Sequence, residues 1–332
     1  MPRESEIISR LRRAAGAGEG VLVGIGDDAA VIKGQGAKDS IFCCDLLIEG
    51  VHFRREWTAP GLLGQKALAV SLSDIAAMGG VPKYAMISIA IPGSCSPQFI
   101  DELFEGLFEL AGASGVSIIG GDTSSSRDSL FIDVSVVGEC ESGAAVTRRG
   151  AKIGDTVYVS GSLGASAVGL SLLENGCRLD ASQSRDARST AVLKHLSPKP
   201  QLKLGGALGE RRLASAMIDI SDGLSTDLWH ILDESDCGAV IDADAIPIAD
   251  CVRSIASSSP AIDPLRLAVD GGEEYELLFT SATENHQQVL ALSDSLGVAI
   301  TAIGNIVSDK RLQLKLNGGL EALKPLGYQH II

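Results

Sequence analysis

Aromatic residues make up only 4% of the 332-residue chain, too few for a base-stacking surface that would hold single-stranded nucleic acid. Positive charge is also in short supply: 28 Lys and Arg stand against 42 Asp and Glu, a net charge of −14. Unaided binding to a nucleic-acid backbone or an anionic membrane is therefore not expected. No apolar run reaches the length of about 18 residues that a membrane span requires. The seven cysteines are odd in number and contain no C-x-x-C pair, which suggests reduced thiols in a cytoplasmic protein. The opening segment, Met1 to Arg13, is helix-like with Ile7, Ile8 and Leu11 on one face, and lacks a secretory apolar core. G-x-x-x-x-G-K-[ST] is missing, so a Walker-type ATPase is excluded, and the absence of H-E-x-x-H argues against a common zinc hydrolase.

What is present reads as an ordered two-domain protein: 45% of residues are hydrophobic and 38 are glycine. Periodicity predicts helices over 60–78, 97–113, 165–174, 185–195, 201–208, 224–233 and 284–296, with another near Cys251. Strands are predicted over 21–23, 40–44, 85–91, 116–119, 130–139, 156–160, 216–220, 239–241, 276–280, 299–306 and 312–316. The alternation of the two gives an α/β or α+β class. The charged, glycine-bearing stretch T-R-R-G-A-K-I-G-D (147–155) breaks the pattern and sets the expected domains at 1–146 and 147–332.

The chain is organised around Gly24-Ile25-Gly26-Asp27-Asp28-Ala29-Ala30, a strand that turns on two adjacent carboxylates. Its formal match to a dinucleotide fingerprint fails, because Val31-Ile32-Lys33 continues as strand where that fingerprint needs a helix. Acids recur beside glycines or small residues at Asp45, Asp74, Asp122, Asp219 and Asp222. Gathered together, they would repel strongly unless cations lay among them. An oxygen-only set selects hard ions such as Mg²⁺, typically shared with substrate phosphates. Gly120-Gly121-Asp122-Thr123 is expected at the C-terminal end of a strand, where α/β proteins bind ligands. Ser221 or Asp222 is expected to cap the following helix, and Arg148 and Arg149 are the best candidates for countering phosphate charge.

Together these motifs resemble one family. G-I-G-D-D-A-A (24–30), D-x-x-x-x-G-V-H-F (45–53), K-A-L-A-V-S-L-S-D-I-A-A-M-G (66–79) and I-G-G-D-T (119–123) look like the thiamine-monophosphate kinases. So do T-R-x-G-A-K-x-G-D (147–155), D-I-S-D-G-L (219–224) and G-G-E-E-Y-E-L (271–277). That family belongs to the aminoimidazole-ribonucleotide-synthetase-like superfamily, whose members bind ATP at aspartate-rich metal sites without a Walker loop. The resemblance implies a mixed α/β N-terminal domain pairing into a dimer barrel, and a C-terminal α/β domain closing over the site.

The implied reaction transfers the ATP γ-phosphoryl group to thiamine monophosphate, giving thiamine diphosphate and ADP with several Mg²⁺ ions and a homodimeric enzyme. By resemblance Asp28, Asp45, Asp74, Asp122, Asp219 and Asp222 are metal ligands. Gly121, Asp122, Arg148 and Ser221 match the ATP site, His52, Glu273 and Tyr328 the thiamine-phosphate site. Asp74, Asp122 and Arg148 carry the catalytic role. The sequence departs from the family at Cys43 and Cys44, where a Ser/Thr pair is usual, and at Glu274, where Asp is common. A thiol is a poor Mg²⁺ ligand. The alternatives are another ATP-dependent synthetase of the superfamily and a non-catalytic acidic metal-binding module.

Overall fold

The computed structural model describes residues 4–15, 18–34, 36–179, 186–259 and 261–328. Its N-terminal half contains β1 (Val21–Val23), β2 (Ala30–Ile32), β3 (Lys38–Ile48), β4 (Val81–Pro92), β5 (Ser117–Ser126) and β6 (Phe131–Glu141), with α1 (Glu4–Ala15), α2 (Pro60–Ala77) and α3 (Pro97–Ser114). The six strands form one sheet in the order β1-β2-β3-β6-β4-β5, antiparallel except for the β4–β5 pair. The C-terminal half contains β7 (Thr156–Ser160), β8 (Ala216–Asp219), β9 (Gly238–Asp242), β10 (Leu277–Ser281), β11 (Ile300–Val307), β12 (Leu312–Leu316) and β13 (Gly319–Ala322). Its helices are α4 (Ala165–Glu174), α5 (Ala187–Leu196), α6 (Leu202–Glu210), α7 (Leu224–Ser235), α8 (Asp250–Ser257), α9 (Pro264–Asp270) and α10 (His286–Leu296). The second sheet runs β13-β12-β9-β11-β7-β10-β8, with β9 and β12 parallel. The architecture is a mixed α/β fold in two halves.

Helix α2 is the pivot. It is apolar nearly all round, which marks a helix buried on every side. Leu63, Leu68, Leu72 and Ile75 are buried against Ile132 and Val134 of β6 in the N-terminal core. Its end, Ala76 and Ala77, packs instead with Leu204 and Leu208 of α6 and Phe279 of β10 in the core that joins the halves. Close approach to α3 requires glycine: a Cβ on Gly64 would lie 1.9 Å from the Leu103 carbonyl oxygen. Helix α3 begins where Ser96 accepts a hydrogen bond from Phe99 N ahead of Pro97, and ends at Gly115 with φ +69°.

Strand β3 alternates across the sheet, so Ile41, Cys43, Asp45 and Leu47 face α2 while Phe42, Cys44 and Leu46 face outward. The outward face carries exposed Phe42, Leu46, Tyr84 and Met86.

Several boundaries differ from expectation. β4 starts at Val81 because a register shift between Pro82 and Tyr84 accommodates the proline, which cannot donate to the ladder. α5 begins at Ala187, where Asp186 accepts from Ser189 N. The expected start at Arg185 lies outside the described residues, as do residues 1–3 of the opening helix. α9 and β13 were not expected from the sequence.

Candidate active site

Three carboxylates from three elements converge. Asp28 sits in the turn between β1 and β2, Asp74 in the last turn of α2, and Asp219 at the end of β8. Ala216, Met217 and Ile218 are buried, and this continuous apolar strand carries Asp219 inward with them, leaving it 2% exposed. One carboxylate oxygen of each acid lies within 4.8 Å of the others. At that separation each ionised pair repels by roughly 3 kcal/mol at an effective dielectric near 20. Burial first, then neighbouring carboxylates, raises Asp74 well above the ordinary range and Asp219 to about 8. Asp28 is raised mainly by burial, against the opposing pull of Arg148.

Asp45 joins the group at its edge. It accepts the Ser71 hydroxyl at 2.7 Å and shares a hydrogen bond with Asp74. Ser73 donates to Asp219 Oδ2 at 2.6 Å. Helix α2 therefore supplies an acid and two hydroxyls to one point, and neither serine stood out in the sequence. Cys43 faces the same side, donating to the Ser71 carbonyl at 3.2 Å, while Cys44 is exposed on the outer face.

Arg148 grips Asp28 through Nε at 3.1 Å and Nη2 at 2.5 Å. Asp28 Oδ2 is buried with no hydrogen-bond partner among the described residues. A buried anionic oxygen left bare in a ring of acids suits a cation. Asp27 turns the other way: it accepts from the backbone N–H groups of Asp28 and Arg148 and so fixes the turn. A cleft of about 530 Å³ opens beside it, lined by Val21 to Asp27, Arg12, Thr147, Arg149 and Glu234.

The loop after β8 corrects the expected cap. Neither Ser221 nor Asp222 caps α7; instead Asp227, in its first turn, accepts from Asp222 N at 3.2 Å and Gly223 N at 2.9 Å. Gly223, with φ +126°, leaves no side chain at the cap, so the acid one turn on reaches back. Asp227 is 1% exposed and beside Asp222, and the sequence analysis missed it. Its signal was an acid four residues beyond a glycine at a helix start.

The three candidate thiamine-phosphate residues come from separate segments. His52 Nδ1 accepts from Ile48 N at 3.0 Å, which leaves the ring proton on Nε2. Glu273 pairs with Lys66 at 2.8 Å and with His195 Nδ1 at 3.2 Å. Its backbone N–H donates to the Ser221 carbonyl at 2.7 Å, tying it to the D-I-S-D-G-L loop. Tyr328 is 50% exposed, and burial first, then the charges of Glu273, Glu4 and Asp222, push its hydroxyl above the usual value. Lys66 and His195 were not singled out by the sequence, because a lone lysine in an apolar helix and a lone histidine carry no pattern.

Gly121 and Asp122 stand apart. The expected strand end is overturned: I-G-G-D-T lies inside β5, which pairs with β4 from Ser117 through Ser126. The small polar run has no apolar alternation, but an edge strand exposed on most of its length needs none. Asp122 pairs with Ser88, Ser88 with Asp133 and Asp133 with Leu46. That row lies on the outward face, opposite the side on which Asp45 meets α2. Within one chain the structure does not bring Asp122 to the Asp28–Asp74–Asp219 group. Gly121, with φ +153°, is required because a Cβ would meet the Ile87 carbonyl oxygen at 1.8 Å.

Residues 26–140 match the N-terminal domain of the AIR synthase related proteins and residues 152–317 match their C-terminal domain. A thiamine-monophosphate kinase of Bacillus subtilis is 36% identical over 314 residues, covering 93% of this chain and 94% of the relative. One from Escherichia coli is 38% identical, covering 93% and 92%. Among solved structures, AaThiL complexed with AMPPCP and TMP superposes with a TM-score of 0.87 at 28% identity, covering 99% of this chain and 97% of that one. Thiamine-monophosphate kinase from Stenotrophomonas maltophilia K279a gives 0.78 at 34% identity, covering 96% and 98%. With its acid-lined seam and these relatives matched over nearly its whole length, the chain belongs to the thiamine-monophosphate kinase family of enzymes.

Proposed function

We propose that this enzyme transfers the γ-phosphoryl group of ATP to thiamine monophosphate, giving thiamine diphosphate and ADP, with Mg²⁺ required. The observation that carries the reading is the convergence of Asp28, Asp74 and Asp219, from both halves of the chain, within 4.8 Å. The oxygen-only donor set and the bare Asp28 Oδ2 fit Mg²⁺. Asp28, Asp45, Asp74, Asp219 and Asp222 would hold the ions, which when bound neutralise phosphate charge and align the reactants.

ATP, in this reading, occupies the cleft beside Gly24–Asp27, whose wall includes Arg149, and directs its phosphates toward Arg148 on Asp28 and the Ser221 loop. The acceptor phosphate has a second pKa of about 6, so above that pH its oxygen is largely ionised and attacks without a general base. The new bond forms between that oxygen and the γ-phosphorus, while the bridging β,γ-oxygen leaves with the electron pair on ADP. Arg148 offsets charge in the transition state, and Asp74 holds the site's geometry from α2. His52, Glu273 and Tyr328 orient the thiamine moiety.

The reading includes a homodimer formed through the outward face of the N-terminal sheet, supported by its exposed Phe42, Leu46, Tyr84 and Met86. Gly121 and Asp122, on that sheet's edge, would then serve a site at the subunit boundary. A boundary between 146 and 147 and a cytoplasmic location complete it; the seven free thiols support the latter.

The test is to incubate purified protein with ATP, Mg²⁺ and thiamine monophosphate and resolve the products chromatographically. Thiamine diphosphate forming in step with ADP, and lost on adding EDTA, is the expected result. Intact ATP, or ADP formed without the diphosphate, would overturn the assignment.

A further inference from the structure

Residues 271–276 cross the seam between the halves in an unusual backbone. Glu273 (φ +59°) and Tyr275 (φ +53°) are both left-handed, a conformation unfavourable for side-chain-bearing residues. The alternation sends the three side chains to different places. Tyr275 joins the N-terminal core, and Glu274 turns to α4, where it accepts from Ser166 N at 2.9 Å. Glu273 stays between them, with 27% of its side-chain surface exposed.

Its carboxylate is gripped from both halves. Lys66 of α2, whose side chain is 3% exposed, places Nζ 2.8 Å from Oε1. His195 of α5, 2% exposed, places Nδ1 3.2 Å from Oε2 and 3.1 Å from the Ser166 hydroxyl. Burial, then the charge of Lys66, pushes His195 down to about 4, so the ring is neutral near pH 7 and its Nδ1 is a polar contact shared by the Glu273 carboxylate and the Ser166 hydroxyl. Burial would raise the Glu273 carboxyl, but the charge of Lys66 outweighs it and holds the group below its usual value. Lys66 thus supplies the charge and His195 the direction. Both line one narrow cavity with His52, Trp57 and Thr58.

We propose that Lys66 and His195 are positioning residues, one from each half, that fix the Glu273 carboxylate as the acceptor for the cationic thiazolium–aminopyrimidine part of the substrate. This rests on the thiamine-monophosphate reading and goes beyond it by assigning two residues outside the family-matched site set. An ionised, pre-aimed carboxylate recognises a cation or an amino group, and would repel the phosphate at the molecule's other end.

The experiment measures kcat and separate KM values for thiamine monophosphate and ATP in Lys66→Met, His195→Leu, His195→Asn and Glu273→Gln, and in Lys66→Met and His195→Leu each combined with Glu273→Gln. Circular-dichroism melts verify folding. Lys66→Met and His195→Leu should each raise KM for thiamine monophosphate roughly 10–100-fold, because a carboxylate no longer held in place forfeits most of its own charged hydrogen bond to the substrate. KM for ATP should stay near wild type. His195→Asn should recover most of the loss, since the Asn amide can donate from near the Nδ1 position. Neither substitution should add to the effect of Glu273→Gln, because both act through that carboxylate.

Additive losses, an equal rise in both KM values, or failure of Asn to rescue would overturn the proposal while leaving the activity assigned. Should Lys66→Met not fold, the His195 pair decides. A wild-type enzyme that does not use thiamine monophosphate at all would remove the functional reading, and this proposal with it.

Discussion

Replacing Asp219 by Asn probes the acid cluster as an electrostatic object. The amide keeps the side chain's shape and can still accept the Ser73 hydroxyl, which lies 2.6 Å from Oδ2. It removes one of three acids whose oxygens are held within 4.8 Å of one another. After burial, the strongest opposition to an ionised Asp219 comes from its pairing with Asp28, ahead of Asp45. At an effective dielectric near 20 that pair is worth roughly 3 kcal/mol, an upper bound because protons shared within the cluster reduce it. In metal-free buffer the variant should therefore be more stable than wild type, with a melting temperature higher by roughly 5 °C. In millimolar Mg²⁺ the order should reverse, since wild type gains binding energy that the variant has lost. Thermal melts of both proteins in EDTA and in Mg²⁺, alongside turnover, provide the assay. An Asp219→Asn protein that melts below wild type in EDTA, or that keeps the full Mg²⁺ response, would refute the reasoning.

Arg148→Met strands the buried Asp28 carboxylate, 2% exposed at its side chain, and should cost about 3–5 kcal/mol in urea unfolding; Arg148→Lys should recover only part, lacking the Nε–Nη2 fork. Glu274, raised to about 7 chiefly by burial, holds its proton in the folded state between pH 4.5 and 7 and loses stability as pH rises through that window. Glu274→Gln should therefore gain about 3 kcal/mol relative to wild type between pH 4.5 and 8, read from denaturant midpoints at each pH. Gly121→Ala should cost roughly 2–3 kcal/mol and speed amide exchange along β5, because the new methyl meets the Ile87 carbonyl.

Much of this architecture was legible because burial leaves a period in the sequence. Helix α2 announced itself by an apolar run ending before Gly79-Gly80, and Asp74 by its place in that run. Asp28 and Asp219 were visible as acids closing apolar strands. The rest depends on partners far along the chain. β5 continues past Ile119 only because β4 pairs with it, and nothing in G-G-D-T-S-S-S alternates. Asp227 reads as an ordinary first-turn acid until Gly223 leaves the α7 cap empty. Lys66 and His195 are 129 residues apart, and only the folded seam sets them on one carboxylate. The face on which Asp122 lies follows from strand register, which one sequence does not specify.

The account turns on cations bridging the two halves of the chain. Anomalous diffraction from crystals grown with Mn²⁺ and a non-hydrolysable ATP analogue measures this directly. The predicted result is a manganese peak contacted by carboxylate oxygens of Asp28, Asp74 and Asp219. A bound nucleotide with no peak among those three acids would contradict it.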